Sequence, residues 1–277
     1  MSFIGTVKSE NTKQFSTSSW WILALVLLLY VGSTAAGLAF FFAAAATGAL
    51  PGSEGAPVLP EESLPSVLYS LATAMGYVFP LLIGTLMVTT EIRHKTLTPT
   101  FLATPRRGRV LTAKVIVGIG LGLLYGVIGI VASTGPSAGL LALQGVDTQL
   151  GDTDIWAMLG RMLAAFVLWV LIGIGVGALV RNQIVAIVGA LVFTQFLEPV
   201  VRTLVPLVEG AGDIVQFLPG AASDALVGAS LYTSAMVDAG GGSAPSLEWW
   251  AGGLVLLGLA VVLLLLAQLF SWRRDVA

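Results

Sequence analysis

Few residues in this sequence can do chemistry, and their types narrow what that chemistry is. There is no cysteine and a single histidine, His94, which removes thiolate nucleophiles, disulfides, Cys-ligated metals and imidazole pairs. Glu198 and Arg202 stand four apart inside an apolar stretch, in the Glu-before-Arg order that pairs well on one helix face. Arg161, in another apolar stretch, is placed to pair with Glu198 or to extend outward, and Lys114, near the end of a third, is expected to snorkel toward water. Ser-His and paired-Asp proteolysis both lack parts, because the histidine lies in a polar connection and no Asp lies within an apolar stretch. No phosphate-binding G-x-x-x-x-G-K-[ST] loop occurs. Gly118, Gly120, Gly122 and Gly126 follow no strand, so they read as close-packing positions, as do Gly173, Gly175 and Gly177.

The elements that must hold these residues are membrane helices. The chain carries 13 Lys and Arg against 15 Asp and Glu, 10% charged in all, where a soluble domain carries roughly a quarter. Six apolar segments, at 20 to 46, 67 to 89, 110 to 134, 157 to 180, 183 to 205 and 249 to 271, each reach the ~20 residues a crossing needs. The predicted fold is all-α: a single transmembrane domain over 1–277 with six transmembrane helices. The first segment ends in Ala43 to Ala46, as a signal peptide's cleavage region does. Its apolar run of some 27 residues far exceeds the ~7–15 of a signal core, so it reads as a retained helix.

Charge sorts along this layout. With the N-terminus inside, 11 of the 13 basic residues fall on the inner side, and the inner acids are only Glu10, Glu91 and Asp275. Positive-inside bias therefore orients both termini to the cytoplasm. The outer connections are 47 to 66, 135 to 156 and 206 to 248; the first is broken by Pro51, Pro57, Pro60 and Pro65. In the third, Phe217, Leu218 and Ala225 to Val227 favour burial, which predicts re-entrant outer helices between helices five and six. Over 1–18, Phe3, Ile4, Val7 and Phe15 form an apolar stripe, interrupted by Asn11, from which Lys8 and Lys13 turn away, predicting an interfacial N-terminal helix. Pro80, between Gly76 and Gly84, and Pro199 with Pro206, mark bending points in the second and fifth helices.

The densest charged stretch runs from Glu91 to Lys114 and interleaves Leu97, Phe101 and Leu102, enough for about one and a half amphipathic turns before Pro105. A Glu closing a membrane helix, then Thr96-Leu97, then Phe101-Leu102-Ala103-Thr104-Pro105-Arg106-Arg107, with Lys114 opening the next helix, resembles the permeases of type-2 ABC exporters. The six-crossing layout with a long outer segment extends the resemblance along the whole chain. One departure is Lys95, where many members have Gly, which puts the local backbone turn in question.

The resemblance implies that 91–108 is a cytoplasmic coupling loop contacting a separate ABC ATPase through Glu91, Arg93, His94, Lys95, Thr96, Leu97, Phe101, Leu102, Pro105, Arg106 and Arg107. It implies a second permease subunit, identical or homologous, and an export path lined by Tyr77, Phe79, Phe193, Thr194, Gln195 and Phe196. ATP and Mg would sit on the partner ATPase, with no cofactor bound by this chain. The expected setting is the bacterial plasma membrane, and the expected cargo a drug, antibiotic or lipid. An importer subunit is the nearest rival, but Arg181-Asn182-Gln183 is too short for a second coupling loop. A gradient-driven carrier or channel using Arg161, Glu198 and Arg202 is the alternative from another class.

Overall fold

Ser2 begins the first helix, its hydroxyl accepting from the Gly5 amide at 3.2 Å, which satisfies one of the amides that every helix start leaves free. The computed structural model describes residues 2–46, 60–103, 107–180, 182–205, 212–229 and 247–271, and among these there is no strand. Helix α1 is Phe3–Ser16, and α2, Ser19–Ala46, is the first span. The second span is segmented into α3 (Leu64–Tyr69), α4 (Leu71–Gly76) and α5 (Val78–Arg93). Next come α6 (Leu97–Ala103), α7 (Arg107–Leu143) and α8 (Thr153–Leu179). The fifth span joins α9 (Gln183–Val192), a π-helical turn at Phe193–Leu197 and α10 (Glu198–Leu204). After α11 (Gly212–Val215) and α12 (Pro219–Val227), the sixth span is α13 (Trp249–Leu266).

Six helical stretches are long and apolar enough to cross a membrane. The second and fourth lie inside the bundle, 78% and 61% buried over their most apolar windows, whereas the first, fifth and sixth are 28%, 22% and 17% buried. Lipid is as apolar as leucine, so the inner spans cannot be held by hydrophobic exclusion and need close backbone approach instead. Glycine supplies it. A methyl group on Gly84 would strike the Val170 carbonyl, one on Gly173 the Leu81 carbonyl, and one on Gly177 the Thr85 carbonyl, locking α5 onto α8. Gly118, Gly122 and Gly126 press α7 onto Ile174, Val167 and Leu163 in the same way. Gly120 does not: nothing lies within 4 Å of the position its Cβ would take, because it is on the opposite side of α7.

Two segments differ from the sequence reading. Helix α7 does not end near residue 134 but runs through Pro136 to Leu143, taking in the start of the expected 135 to 156 connection. Proline tolerates a membrane helix when neighbouring groups cover the freed carbonyl, and the Ala132 carbonyl, four residues before Pro136, lies against Gly32 of α2. The fifth span carries a π turn that hydropathy cannot reveal, ending two residues before Pro199, the second residue of α10. Pro80 acts where expected, since α5 restarts at Val78. Pro51, Pro57 and Pro206 lie outside the described residues.

Candidate functional site

Where α1 crosses the ends of α5 and α7, four charged side chains close a ring. Lys114 Nζ lies 2.6 Å from Glu10 Oε2 and 3.0 Å from Glu91 Oε2, while Lys13 Nζ lies 2.7 Å from Glu10 Oε1 and 2.9 Å from Glu91 Oε1. Each carboxylate therefore touches both ammonium groups. Lys114 also donates to the Met87 carbonyl at 3.0 Å, and Lys13 to Thr100 Oγ1 of α6 at 3.1 Å. The expected snorkelling of Lys114 is corrected: its side chain is 1% exposed, because two carboxylates and a carbonyl replace the water it would have sought.

Burial opposes ionisation of Glu10, but Lys114 and Lys13 outweigh it and hold the carboxyl below its ordinary value. Burial likewise opposes the charge on Lys13, and Glu10 with Glu91 overrides it, raising the ammonium above its ordinary value. The ring thus joins four charged side chains, drawn from α1, α5 and α7, and one α6 hydroxyl. A cavity of about 330 Å³ adjoins it, lined in part by Gln14, Leu86, Met87, Thr90, His94 and Thr96.

The turn beside the ring is set by the backbone. α5 ends with the Thr96 amide donating to the Glu91 carbonyl at 3.0 Å and the Lys95 amide to Ile92 at 3.2 Å, the two bonds of a Schellman ending whose C′ residue takes left-handed geometry. That residue is Lys95, with φ at 55°. Lys95 thus adopts the left-handed conformation that glycine favours. α6 follows at once, with Leu97 buried, Phe101 half-buried beneath the Arg107 guanidinium at 5.1 Å, and Leu102 78% exposed. Arg93, His94, Lys95 and Thr96 are exposed as well. Pro105 and Arg106 lie outside the described residues.

At the opposite end, the charges inside the spans serve α12. Glu198 Oε1 accepts from the amides of Gly220 and Ala221 at the helix start. Arg202 contacts Asp224 at 2.6 Å. Glu198 and Arg202 attract one another along the fifth span, as their spacing predicts, and each also makes a contact to α12, where unsatisfied amides and a carboxylate lie within reach. Arg161 is half-buried, its guanidinium lying over the Trp249 ring at 5.8 Å and beside Gly228, the C-cap of α12. A carboxylate thus meets the positive end of α12 and a guanidinium the negative end.

Of the six expected path residues, the structure joins Tyr77 and Thr194: the tyrosine hydroxyl donates to the Thr194 carbonyl at 2.8 Å. Tyr77 also packs on Trp169 at 4.5 Å. Phe79 turns to Tyr30 of α2, at 6.1 Å. Phe193 is half-buried, while Gln195 and Phe196 face outward. The sequence reading missed Glu10 and Lys13 as site residues. Their signal was opposite charges three apart in a helix of otherwise weak amphipathicity, readable only once Lys114 is known to be inside.

Among the described residues, no group of three or more His, Asp or Glu side chains is placed to hold a metal. The apolar helices fit a multi-pass membrane protein. No protein-family model matches the chain, and no curated protein does.

Proposed function

We propose that this chain is the membrane-spanning permease subunit of an ATP-driven ABC exporter, moving a hydrophobic or amphipathic compound out of a bacterial cell. The observation that carries the reading is α6, a short helix with an outward face around Leu102, fastened at its base to three other helices by the ring of Glu10, Lys13, Glu91 and Lys114. A partner pushing on that face would move α5 and α7 together, because Glu91 and Lys114 are joined at 3.0 Å. Motion driven by nucleotide in a separate ATPase would so reach the inner span α5 and, through its glycine contacts, α8. In this reading the Arg93–Arg107 segment faces the cytoplasm, a second permease subunit covers the exposed spans, and ATP and Mg bind the ATPase.

The test is co-expression with an ABC ATPase encoded beside the chain. Wild type is expected to co-purify with it and to stimulate its hydrolysis, Leu102→Glu to lose assembly, and Glu91→Gln to keep assembly while losing stimulation. Transport by the chain alone in liposomes, driven by an ion gradient without nucleotide, overturns the proposal.

A further inference from the structure

An apolar groove of about 760 Å³ runs between α1 and the side of α7 away from the core. Ile4, Val7 and Phe15 form one wall, and Ile116, Gly120 and Leu124 the other. Trp20 closes one end, its indole N–H donating to the Phe15 carbonyl at 3.2 Å and its ring meeting Phe15 at 5.1 Å. The open floor is Gly120, which has space where a side chain would be. The two polar lining residues, Lys8 and Asn11, are both exposed. Among the described residues Lys8 has no ion-pair partner, whereas Lys13, on the same helix, is committed to the ring.

We propose that this groove binds one acyl chain of an anionic phospholipid, with the lipid phosphate on Lys8 and the Asn11 amide donating beside it. The chemistry of the walls selects a hydrocarbon, and one cation at the edge of a site with no acidic lining selects a negative headgroup. The groove belongs to a helix that crosses the membrane, so an acyl chain enters sideways without leaving the bilayer. Filling it also fixes α1, which carries Glu10 and Lys13, against α7. The site depends on the membrane reading alone and not on the nature of the transporter.

The experiment uses the full chain in phosphatidylcholine nanodiscs containing a few per cent of a lipid with a photoreactive acyl chain, either phosphatidylglycerol or phosphatidylcholine, with cross-linked peptides mapped by mass spectrometry. Wild type is expected to show phosphatidylglycerol label within residues 3–15 and 116–124 in clear excess over phosphatidylcholine. Lys8→Ala removes about fivefold of that excess, as expected for one lysine at an anionic surface, and Lys8→Arg retains it. Gly120→Trp abolishes label from both lipids; where it lowers the melting temperature, Ile116→Trp is the second groove-filling variant. Equal labelling by the two lipids in wild type overturns the proposal, as does labelling that survives groove filling. Cross-links between two copies of this chain at the same residues also overturn it, making the groove a self-association face.

Discussion

Replacing Lys114 with Met should release α1 from the bundle. The side chain is 1% exposed and touches Glu10, 3% exposed, and Glu91, 10% exposed. Its removal leaves two buried carboxylates sharing Lys13 alone, and orphaning a buried charge in this way costs about 3–5 kcal/mol. Lys13 is different: at 37% exposure water screens it, so Lys13→Met should cost no more than about 1 kcal/mol. The contrast between the two variants, at least about 2 kcal/mol, is the quantity to measure. Hydrogen exchange over residues 3–16, referenced to 153–179, separates undocking of α1 from global unfolding. Adding Glu10→Gln to Lys114→Met removes the surplus charge and should recover about 1–3 kcal/mol. Equal, mild effects of the two lysine variants would refute the ring as a coupled unit, and so would a double variant as damaged as the sum of its parts.

The ring also sets a pH window. Glu10 is held below its ordinary 4.5, so its contribution is present above 4.5 and is lost as pH falls through the lower folded value; Lys13 is held above 10.5, so its contribution is present below 10.5 and fades as pH rises beyond it. A spin-label distance between Ser9 and Leu123, introduced into a chain that has no native cysteine, should stay constant between these limits and lengthen outside them. Gly173→Ala drives a methyl into the Leu81 carbonyl and should cost about 1–3 kcal/mol by thermal unfolding, whereas Gly189→Ala, in open space, should be neutral or gain up to about 1 kcal/mol. Lys95→Gly should stay within about 1 kcal/mol of wild type, because relief of left-handed strain offsets the added chain entropy, while Lys95→Val should lose about 1–2 kcal/mol in the same assay. Glu198→Ala removes an acceptor from the start of α12 and should cost up to about 2 kcal/mol, with Glu198→Gln retaining most of the protection of 219–227 against exchange.

The six helices long and apolar enough to cross a membrane were legible because a bilayer imposes one length and one polarity on every span, and runs such as 249 to 271 declare themselves by composition. The α6 helix was legible too, since Leu97 and Phe101 keep helical spacing and one of them is buried as that spacing requires. Partners of charges on other helices were not. Glu198 and Arg202 satisfy the rule for neighbouring turns, but α12 offers free amides and Asp224 in three dimensions. Lys114 looked like a residue seeking water because its acids are 104 and 23 positions away in sequence. The π turn at Phe193–Leu197 shifts which faces Gln195 and Phe196 occupy, and no periodicity argument built on 3.6 residues anticipates that.

Helices α8 and α9 follow directly on one another in the chain, and at their far ends they are bridged by α12, which grips Glu198 and Arg202 on the fifth span while Arg161 on the fourth meets its far cap. Together they make a frame closed top and bottom. Such a frame resists rocking of one long side against the other, since any tilt strains a corner. What remains compliant is the long side interrupted at Phe193–Leu197, where a turn wider than its neighbours carries the backbone. Bending of the fifth span is therefore expected to localise there, and because the Tyr77 hydroxyl holds the Thr194 carbonyl within that turn, the second span governs how far the frame flexes.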